Sequence, residues 1–488
     1  MSDRTNKLII CWAVPLALLL LYAVTAQRGV SWQDSGEFQY RVLIGDFRWH
    51  LGIALAHPLY IFGAGCFTRC FPESLTFYAT ALFSGLGMVT ALILLSLTLW
   101  RLTANRWAVV TATVTLGLSQ MCWWMSTVAE VYTWSLAFLM AEVFCLLAIC
   151  SCKHKTLRWW LALAFINGLH ASLHNFAFLN LPVYGVLFFI RKDGIKTLLS
   201  CVLAWMLGAA LLLCLFYLEL KTLSFGATIK SLFFGYGYEG AVLNTRHINW
   251  KLAFVNFALA SVSFASPCWL FATRGFNTLR EHITFKRCLL ALTGIHFVFW
   301  VRYFVPDQAT FLLPTLGLLA IWLGVGCASV PLKTKTLALC LTAGIICQIA
   351  IPLALCAVAA RYEITHSRTL PFRQDVPYWL LPWKHNEASA QQFVDEVEKM
   401  LDDNDVLIAD STSAHPLMAL RAIRKKPSTW RLVSLYSGET EEDLLALTQR
   451  PDRRVFVVSP VRGYTPDVLL KTKRFEESGV LYRVLEVP

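Results

Sequence analysis

The chain departs from its apolar pattern at residues 31–42, which read SWQDSGEFQYRV. One long apolar run precedes this stretch and another follows it. Asp34 and Glu37 lie three residues apart in it, although residues 1–360 hold only 12 acidic side chains. Ionisable residues beside membrane spans are energetically costly and usually mark a site. The stretch therefore predicts a functional loop between two membrane spans.

The composition around this loop is that of a membrane protein. The 488 residues are 57% hydrophobic, and their mean hydropathy is +0.55, above the range of soluble domains. The net charge of +12 arises in residues 1–360, which carry 25 basic and 12 acidic residues, whereas residues 361–488 carry 18 and 19. Basic loops that flank apolar segments report membrane orientation, so we expect no nucleic-acid partner.

Eleven apolar runs approach the length of about 20 residues that a bilayer span requires. They lie near 8–26, 76–99, 107–123, 130–150, 158–173, 176–190, 197–219, 252–273, 286–304, 308–327 and 336–359. The first ends in AVTAQ, but its apolar core is longer than that of a signal peptide, so we predict a retained anchor. We therefore predict a mainly α, polytopic helical bundle of about eleven spans, residues 1–360, embedded in the lipid bilayer.

Charge predicts the orientation of this bundle. If Arg4 and Lys7 are cytoplasmic, the alternate loops are basic, as the positive-inside rule requires. The basic residues of those loops are Arg101, Arg106, Lys153, Lys155, Arg158, Arg191, Lys192, Lys196, Arg274, Arg280, Lys286, Arg287, Lys333 and Lys335. The loops 27–56 and 221–251 and the tail 361–488 then face the non-cytoplasmic side.

The tail predicts a small soluble α/β domain. Strand patterns occur at VLIAD (406–410), TWRLVSLY (429–436), RRVFVVSP (453–460) and VLYRVLEV (480–487). Helical patterns occur at 388–405 and 441–450, and alternation of strands with helices predicts a parallel sheet. Asp410 follows the first strand and is interpreted as a helix cap.

Four further segments place polar residues at the same predicted outer boundary. They are LAHPLYIFGAGCF with His57, STVAEVYTW with Glu130 and Tyr132, NGLHASLHN with His174, and FVFWVRYFVPDQATFLLP with Arg302 and Asp307. Their convergence with Asp34 and Glu37 predicts a polar cavity. His170 is interpreted instead as a packed, hydrogen-bonded histidine.

A structural explanation of the first loop is also open. Ser31 could cap a helix with Asp34 in a capping box, and Glu37 could pair with Arg41. The helix would then lie on the membrane surface with Phe38, Val42 and Phe47 in the lipid.

The order of DSGEF, HPLY, AEVYTW and GLHASLHN resembles the protein O-mannosyltransferase-like family of integral membrane glycosyltransferases, of the GT-C class. The resemblance covers roughly the first 310 residues, and the later YFVPDQATFLLP and LPWK are also similar. The family has a longer His-Pro-Pro-Gly-x-Pro-Leu element where this chain has HPLY.

The resemblance implies a GT-C fold and an activity. The enzyme would take a sugar, mannose being the first candidate, from a polyprenyl-phosphate carrier and transfer it with inversion to a hydroxyl of a protein or glycan acceptor. Asp34 maps to the family's acidic motif as general base, with Glu37 as its helper. Because the leaving group is a phosphate, it needs positive charge or hydrogen-bond donors, for which His57, His174 and Arg302 are candidates.

The remaining expectations concern the site and its location. Glu130, Tyr132 and Asp307 are expected to bind substrate, and neither a metal nor another cofactor is expected. The active face and the tail are predicted to lie in a bacterial periplasm or an organelle lumen, and the bacterial inner membrane is favoured because residues 1–7 resemble no eukaryotic targeting signal.

Three other functions are left open. A lipid-linked glycan ligase or polymerase would use a large outer loop with Arg and His, and residues 221–251 contain Arg246 and His247. A transporter or flippase would have inverted repeats and broken helices at the membrane midplane. A non-catalytic scaffold with a binding tail would leave Asp34 and Glu37 unexplained.

Overall fold

The computed structural model describes residues 3–152, 156–236, 249–305, 307–363, 370–425, 429–434, 437–450 and 452–487. Lys153 and Lys155, assigned above to a cytoplasmic loop, and Arg246 and His247 of the predicted outer loop lie outside the described residues.

Seventeen helices occupy the described part of residues 3–361. They are α1 (Asp3–Thr25), α2 (Gln33–Ile44), α3 (Pro58–Thr68), α4 (Thr76–Thr103), α5 (Arg106–Gly117), α6 (Gln120–Met125), α7 (Tyr132–Ser151), α8 (Leu157–Leu173), α9 (Phe176–Arg191), α10 (Ile195–Gly208), α11 (Ala210–Leu220), α12 (Phe225–Phe234), α13 (Trp250–Val262), α14 (Leu270–Gly275), α15 (Ile283–Arg302), α16 (Leu313–Ser329) and α17 (Thr334–Arg361). Single 3-10 turns lie at Ile53–Leu55, Glu73–Leu75, Pro267–Trp269, Arg280–His282 and Gln308–Leu312.

Each of the eleven apolar runs is largely helical, which supports the prediction of an integral, multi-pass membrane protein. By length and composition, five described helices are long and apolar enough to cross a membrane. The number rises to seven if α10 with α11, bent by 76°, and α13 with α14, bent by 94°, each form one span. The predicted count of about eleven spans is not confirmed by these criteria.

Helices α14 and α16 approach each other more closely than most helix pairs because glycines line their contact. A Cβ atom on Gly326 would lie 1.8 Å from the carbonyl oxygen of Phe271, and one on Gly275 would lie 1.9 Å from that of Trp322. Small residues at helix contacts allow such close packing in membranes. These two glycines therefore fix the separation of α14 from α16.

The tail forms a five-stranded sheet with flanking helices. Its strands are β1 (Val406–Ala409), β2 (Arg431–Ser434), β3 (Val455–Val457), β4 (Lys473–Ser478) and β5 (Leu481–Glu486), in the order β2-β1-β3-β5-β4. Its helices are α18 (Asp375–Leu380), α19 (Ser389–Met400), α20 (Ser411–Arg424), α21 (Glu441–Thr448) and α22 (Asp467–Thr472).

The predicted strands and helices of the tail are confirmed, but its sheet is mixed. β1 pairs in parallel with β2 and β3, starting from Val406 opposite Arg431 and Val455. The prediction of a parallel sheet is wrong for β4 and β5, which form an antiparallel hairpin added to β3. The sequence pattern missed β4 because its residues KRFEES are largely polar. The Asp410 cap is confirmed, since its carboxylate accepts a hydrogen bond from the Thr412 N–H at 3.2 Å.

The tail packs directly on α2. The ring of Trp32 lies 5.1 Å from that of Phe393 on α19, and its indole N–H donates to the Ser389 hydroxyl at 2.7 Å. The segment that contains α18 is tied to the residues around α6, because Gln120 and Thr127 donate to the carbonyls of Trp379 and Pro382 at 2.8 and 2.7 Å. One hydrophobic core therefore runs from the helical bundle into the tail.

Candidate active site

A cavity of about 290 Å³ lies where α2, α7, α9 and the 307–311 segment meet. Seven of the eight predicted site residues line it, namely Asp34, Glu37, His57, Glu130, Tyr132, His174 and Asp307. They come from five separate stretches of sequence, as the predicted convergence required. The rest of the lining is largely apolar and aromatic, and it includes Leu51, Leu55, Phe178, Leu179, Phe233, Phe234, Phe299 and Phe311.

Helix α2 carries both carboxylates of the first loop. It begins after Trp32, whose side chain makes no capping hydrogen bond, so the predicted Ser31 cap and capping box are wrong. Instead, the Ser31 N–H donates to the side chain of Gln39 at 2.8 Å. The helix ends at Gly45, which has φ +68°, a conformation that glycine adopts without strain.

The helix is buried in protein, not on the membrane surface. Phe38 is 4% exposed, and its ring packs 5.6 Å from that of His57 and 5.1 Å from that of Tyr60. The alternative in which Phe38 and Val42 insert into lipid is therefore wrong. The predicted pair of Glu37 and Arg41 is confirmed, with a distance of 3.0 Å between Oε1 and Nη1.

Arg41 anchors Glu37 to the following turn. Its side chain is fully buried, and it also donates to the carbonyls of Leu55, at 3.2 Å, and Ala56. Its guanidinium lies 4.8 Å from the centroid of the Trp49 ring. Burial raises the pKa of Glu37 to about 8, and the adjacent Arg41 counteracts that rise. Glu37 is thus paired with an arginine that further hydrogen bonds hold in place.

Asp34, on the same helix, also lines the cavity. Its side chain is exposed to that space, although protein surrounds it on the other sides. Burial within the protein and the nearby Asp307 carboxylate raise the pKa of Asp34 to about 7.

Two more carboxylates, Glu130 and Asp307, line the cavity together with Asp34. Glu130 accepts a hydrogen bond from the Ser35 hydroxyl at 3.0 Å, and the Tyr132 hydroxyl donates to Asp307 at 3.2 Å. Burial and the proximity of Asp34 raise the pKa of Glu130, and burial raises that of Asp307. In the described parts of the chain, no group of three or more His, Cys, Asp or Glu side chains has metal-binding geometry.

Two stacked histidines form another wall, with their rings 5.3 Å apart. His57 Nδ1 lies 2.8 Å from the Leu173 carbonyl and therefore donates to it, which leaves Nε2 as an acceptor in the neutral ring. His174 Nδ1 accepts from the Phe176 N–H at 3.1 Å, so its Nε2 carries the proton and is a donor. Burial and His57 lower the pKa of His174, which favours this neutral form.

Arg302 is the one predicted site residue that the cavity does not contain. It ends α15, and its guanidinium lies 5.7 Å from the centroid of the Phe304 ring. Among the described residues that line the cavity there is no Lys or Arg. The role of Arg302 in binding the phosphate stays a prediction.

The sequence analysis missed Glu142, a fully buried carboxylate within α7. Its oxygens contact four side chains on α8 and α9: Asn167 at 3.3 Å, His170 at 2.8 Å, Asn180 at 2.7 Å and Tyr184 at 2.6 Å. His170 also bonds to Ser135 at 2.7 Å, which confirms it as a packed, hydrogen-bonded histidine. An acidic residue inside an apolar run was the available signal.

A second missed residue is His415 of α20, which lies against α2. Its side chain is 1% exposed, and Nε2 is 4.0 Å from Oε2 of Glu37. Nothing in the sequence around His415 points to the first loop, because the two segments are almost the whole chain apart.

Known proteins resemble the chain both in sequence and in fold. Residues 57–197 match a family model described as the protein O-mannosyl-transferase TMEM260 N-terminal domain. No curated protein sequence matches the chain at a significant level. The predicted resemblance to the O-mannosyltransferase-like family is therefore confirmed in the segment that includes HPLY, AEVYTW and GLHASLHN.

The whole fold is similar to that of ArnT from Cupriavidus metallidurans. The crystal structure of ArnT bound to undecaprenyl phosphate has a TM-score of 0.60 and 11% identity, and the match covers 98% of each chain. For the apo state the TM-score is 0.59 and the identity 13%, covering 99% of this chain and 98% of ArnT. The predicted GT-C fold is confirmed, and the family match supports the predicted class of membrane glycosyltransferase.

Proposed function

We propose that this chain transfers a sugar from a polyprenyl-phosphate carrier to an acceptor hydroxyl, with inversion and with Asp34 as the general base. One observation carries the proposal: a single cavity is lined both by the Asp34 carboxylate and by many apolar, aromatic side chains. A lipid-linked sugar has the same two-part chemistry, a polar head on an isoprenoid chain. The fold is that of a protein crystallised with undecaprenyl phosphate.

The donor would use both kinds of lining residue. Phe178, Phe233 and Phe234, of which the first two pack together, match an isoprenoid, whose burial stabilises binding by about 0.8 kcal/mol per CH₂ group. The sugar would lie among the carboxylates, which accept hydrogen bonds from its hydroxyls. We assign the phosphate to His174, because its Nε2 is a hydrogen-bond donor on the cavity wall.

The chemistry is a single displacement. As the acceptor oxygen attacks the anomeric carbon, its proton passes to the Asp34 carboxylate. The bond between the anomeric carbon and the phosphate oxygen breaks, and polyprenyl phosphate leaves with the electron pair. Attack opposite the leaving group inverts the anomeric centre through an oxocarbenium-like state. Glu37, held by Arg41, orients the sugar or Asp34 from the same helix face.

We propose that all eleven apolar runs cross the membrane, with α2 and the tail on the non-cytoplasmic side. Contact between α20 and α2 is consistent with this proposal, because two segments on one side of a membrane are separated by an even number of crossings. Ten of the eleven runs lie between them, whereas the five or seven spans assigned by length and composition are odd numbers. Basic loops on the other side favour this orientation, and the proposed location is a bacterial inner membrane with a periplasmic active face.

The test compares wild type with Asp34→Asn in purified, detergent-solubilised protein. Mannosyl polyprenyl phosphate is supplied first, and both released polyprenyl phosphate and labelled product are followed. The exposed Asp403→Asn on the tail is the matched control. We expect the Asp34→Asn rate to fall about 10²–10⁴-fold, the usual contribution of a general base.

The outcomes separate the alternative functions. Equal turnover by Asp34→Asn and Asp403→Asn would remove Asp34 from the mechanism. A transporter would show no turnover in detergent, where no sealed membrane exists, but would move its substrate in vesicles. A ligase or polymerase would release its carrier while extending a glycan, which mass spectrometry of the product identifies. Unchanged turnover in EDTA would support the proposal that the reaction needs no metal.

A further inference from the structure

The C-terminal tail reaches the first turn of α2 through one buried histidine. His415 Nδ1 lies 3.3 Å from the carbonyl oxygen of Gln33, the residue directly before Asp34. Because a carbonyl only accepts, Nδ1 carries the proton in this bond. The other edge of the ring faces Glu37, and the ring centroid is 5.8 Å from that of Trp49.

The backbone that His415 contacts is in an uncommon conformation. Gln33 has φ +57°, in the left-handed region that non-glycine residues rarely adopt. Such a conformation costs free energy and persists when the surrounding structure holds it in place. The Gln33 conformation sets the direction in which the following residue, Asp34, leaves the start of the helix.

The fit between α20 and α2 is close at this point. A Cβ atom on Gly36 would lie 2.2 Å from the Ser31 carbonyl oxygen and 3.4 Å from the His415 Cβ. Trp32, on the other side of Gln33, bonds to Ser389 of α19 through its side chain only. The tail therefore contacts the side chain of Trp32, but it reaches the backbone of α2 at Gln33.

We propose that His415 is a positioning residue for the transfer reaction: its hydrogen bond to the Gln33 carbonyl fixes the direction of the Asp34 carboxylate. The C-terminal domain thereby completes the active site of the membrane domain. This inference rests on the proposed function, in which Asp34 is the base. His415 itself does not touch the substrate, since it does not line the cavity.

The experiment uses the full chain and exploits the two ring nitrogens. In His415→Asn, the amide N–H takes the place of Nδ1–H and keeps the bond to Gln33. In His415→Gln, the amide reaches the position of Nε2 and loses that bond. His415→Ala removes both. Ser389→Ala breaks another contact between the tail and α2, and His385→Ala changes an exposed histidine of the same tail.

We expect a split between kcat and KM. His415→Ala and His415→Gln should lower kcat about 10- to 100-fold, the effect of a small misplacement of a catalytic group, with an unchanged KM for the donor. His415→Asn should restore kcat to near the wild-type value. Ser389→Ala and His385→Ala should leave kcat unchanged. Wild-type kcat in His415→Gln, or a Ser389→Ala loss equal to that of His415→Ala, would overturn the proposal.

Hydrogen exchange of the amides of residues 33–37 gives a readout that does not depend on turnover. Exchange should be faster than wild type in His415→Ala and His415→Gln but not in His415→Asn. Unchanged exchange in all three variants would overturn the inference even if the wild type were inactive. An inactive wild type with the expected exchange pattern would refute the proposed function and leave the positioning of α2 established.

Discussion

Glu142 offers the sharpest test of the packing inside the bundle. Replacing it with leucine keeps a side chain of similar size in α7 but removes both acceptor oxygens. Asn180 and Tyr184 of α9 would lose the carboxylate that they contact at 2.7 and 2.6 Å, and His170 of α8 would lose its partner at 2.8 Å. Asn167 would keep its bond to the Ala177 carbonyl at 3.0 Å.

The cost follows from the three atoms that lose this partner: Asn180 Nδ2, the Tyr184 hydroxyl and His170 Nδ1. Each buried polar group left without a partner costs about 1–3 kcal/mol, and breaking a buried network by removing one member costs about 3–5 kcal/mol. We therefore expect Glu142→Leu to destabilise the protein by about 3–5 kcal/mol. Glu142→Gln keeps one carbonyl acceptor and should cost roughly half as much.

The assay is thermal unfolding of the purified protein in detergent, with all variants heated at the same rate because such transitions are often irreversible. At about 1 °C per kcal/mol for a chain of this size, Glu142→Leu should melt roughly 3–5 °C below wild type. The matched control is Glu73→Gln, which removes an exposed pair with Lys425, their side chains being 59% and 72% exposed. Such pairs contribute about 0–1 kcal/mol. Melting of Glu142→Leu within 1 °C of the control would refute the reasoning.

Three further results are expected. Asp307→Asn should move the acid limb of the rate–pH profile to lower pH. The proposed general base, Asp34, acts when ionised, and the Asp307 charge helps to raise its pKa to about 7. An acid limb at the wild-type pH would contradict this coupling. Gly326→Ala should lower the melting temperature, since its Cβ would lie 1.8 Å from a backbone oxygen. The control Gly294→Ala, with open space around it, should not. Equal melting temperatures of the two variants would count against the close helix contact. Arg41→Gln should destabilise the protein by about 3–5 kcal/mol, because it leaves the buried Glu37 carboxylate without its cation. A wild-type melting temperature in the same assay would show that the pair contributes little.

The cavity could be predicted in outline because its residues interrupt apolar runs at one predicted side of the membrane. Asp34, Glu130 and His174 stand out in sequence for this reason, and they do line one space. Arg302 had the same signal but ends its helix beside Phe304. Spacing along a helix fixes the depth of a residue, but it does not fix which side of the helix faces the cavity.

Other features depend on contacts between distant segments. Glu142 was hidden because a single carboxylate barely changes the hydropathy of a long apolar run, and its partners on α8 and α9 complete it only in three dimensions. The alternative that placed α2 on the membrane surface failed for a similar reason, since the tail covers part of the helix. The sequence around His415 had no local signal, because its proposed role depends on its contact with Gln33, 382 residues away.

The contact between Gln33 and His415 also sets an order of events during synthesis. The two residues are 382 positions apart, so at about 5–20 residues per second the ribosome adds His415 roughly 20–80 s after Gln33. Throughout that interval α2 exists without the segment that packs against it. The contact between α2 and the tail can therefore form only late in synthesis, after all the apolar runs have been translated.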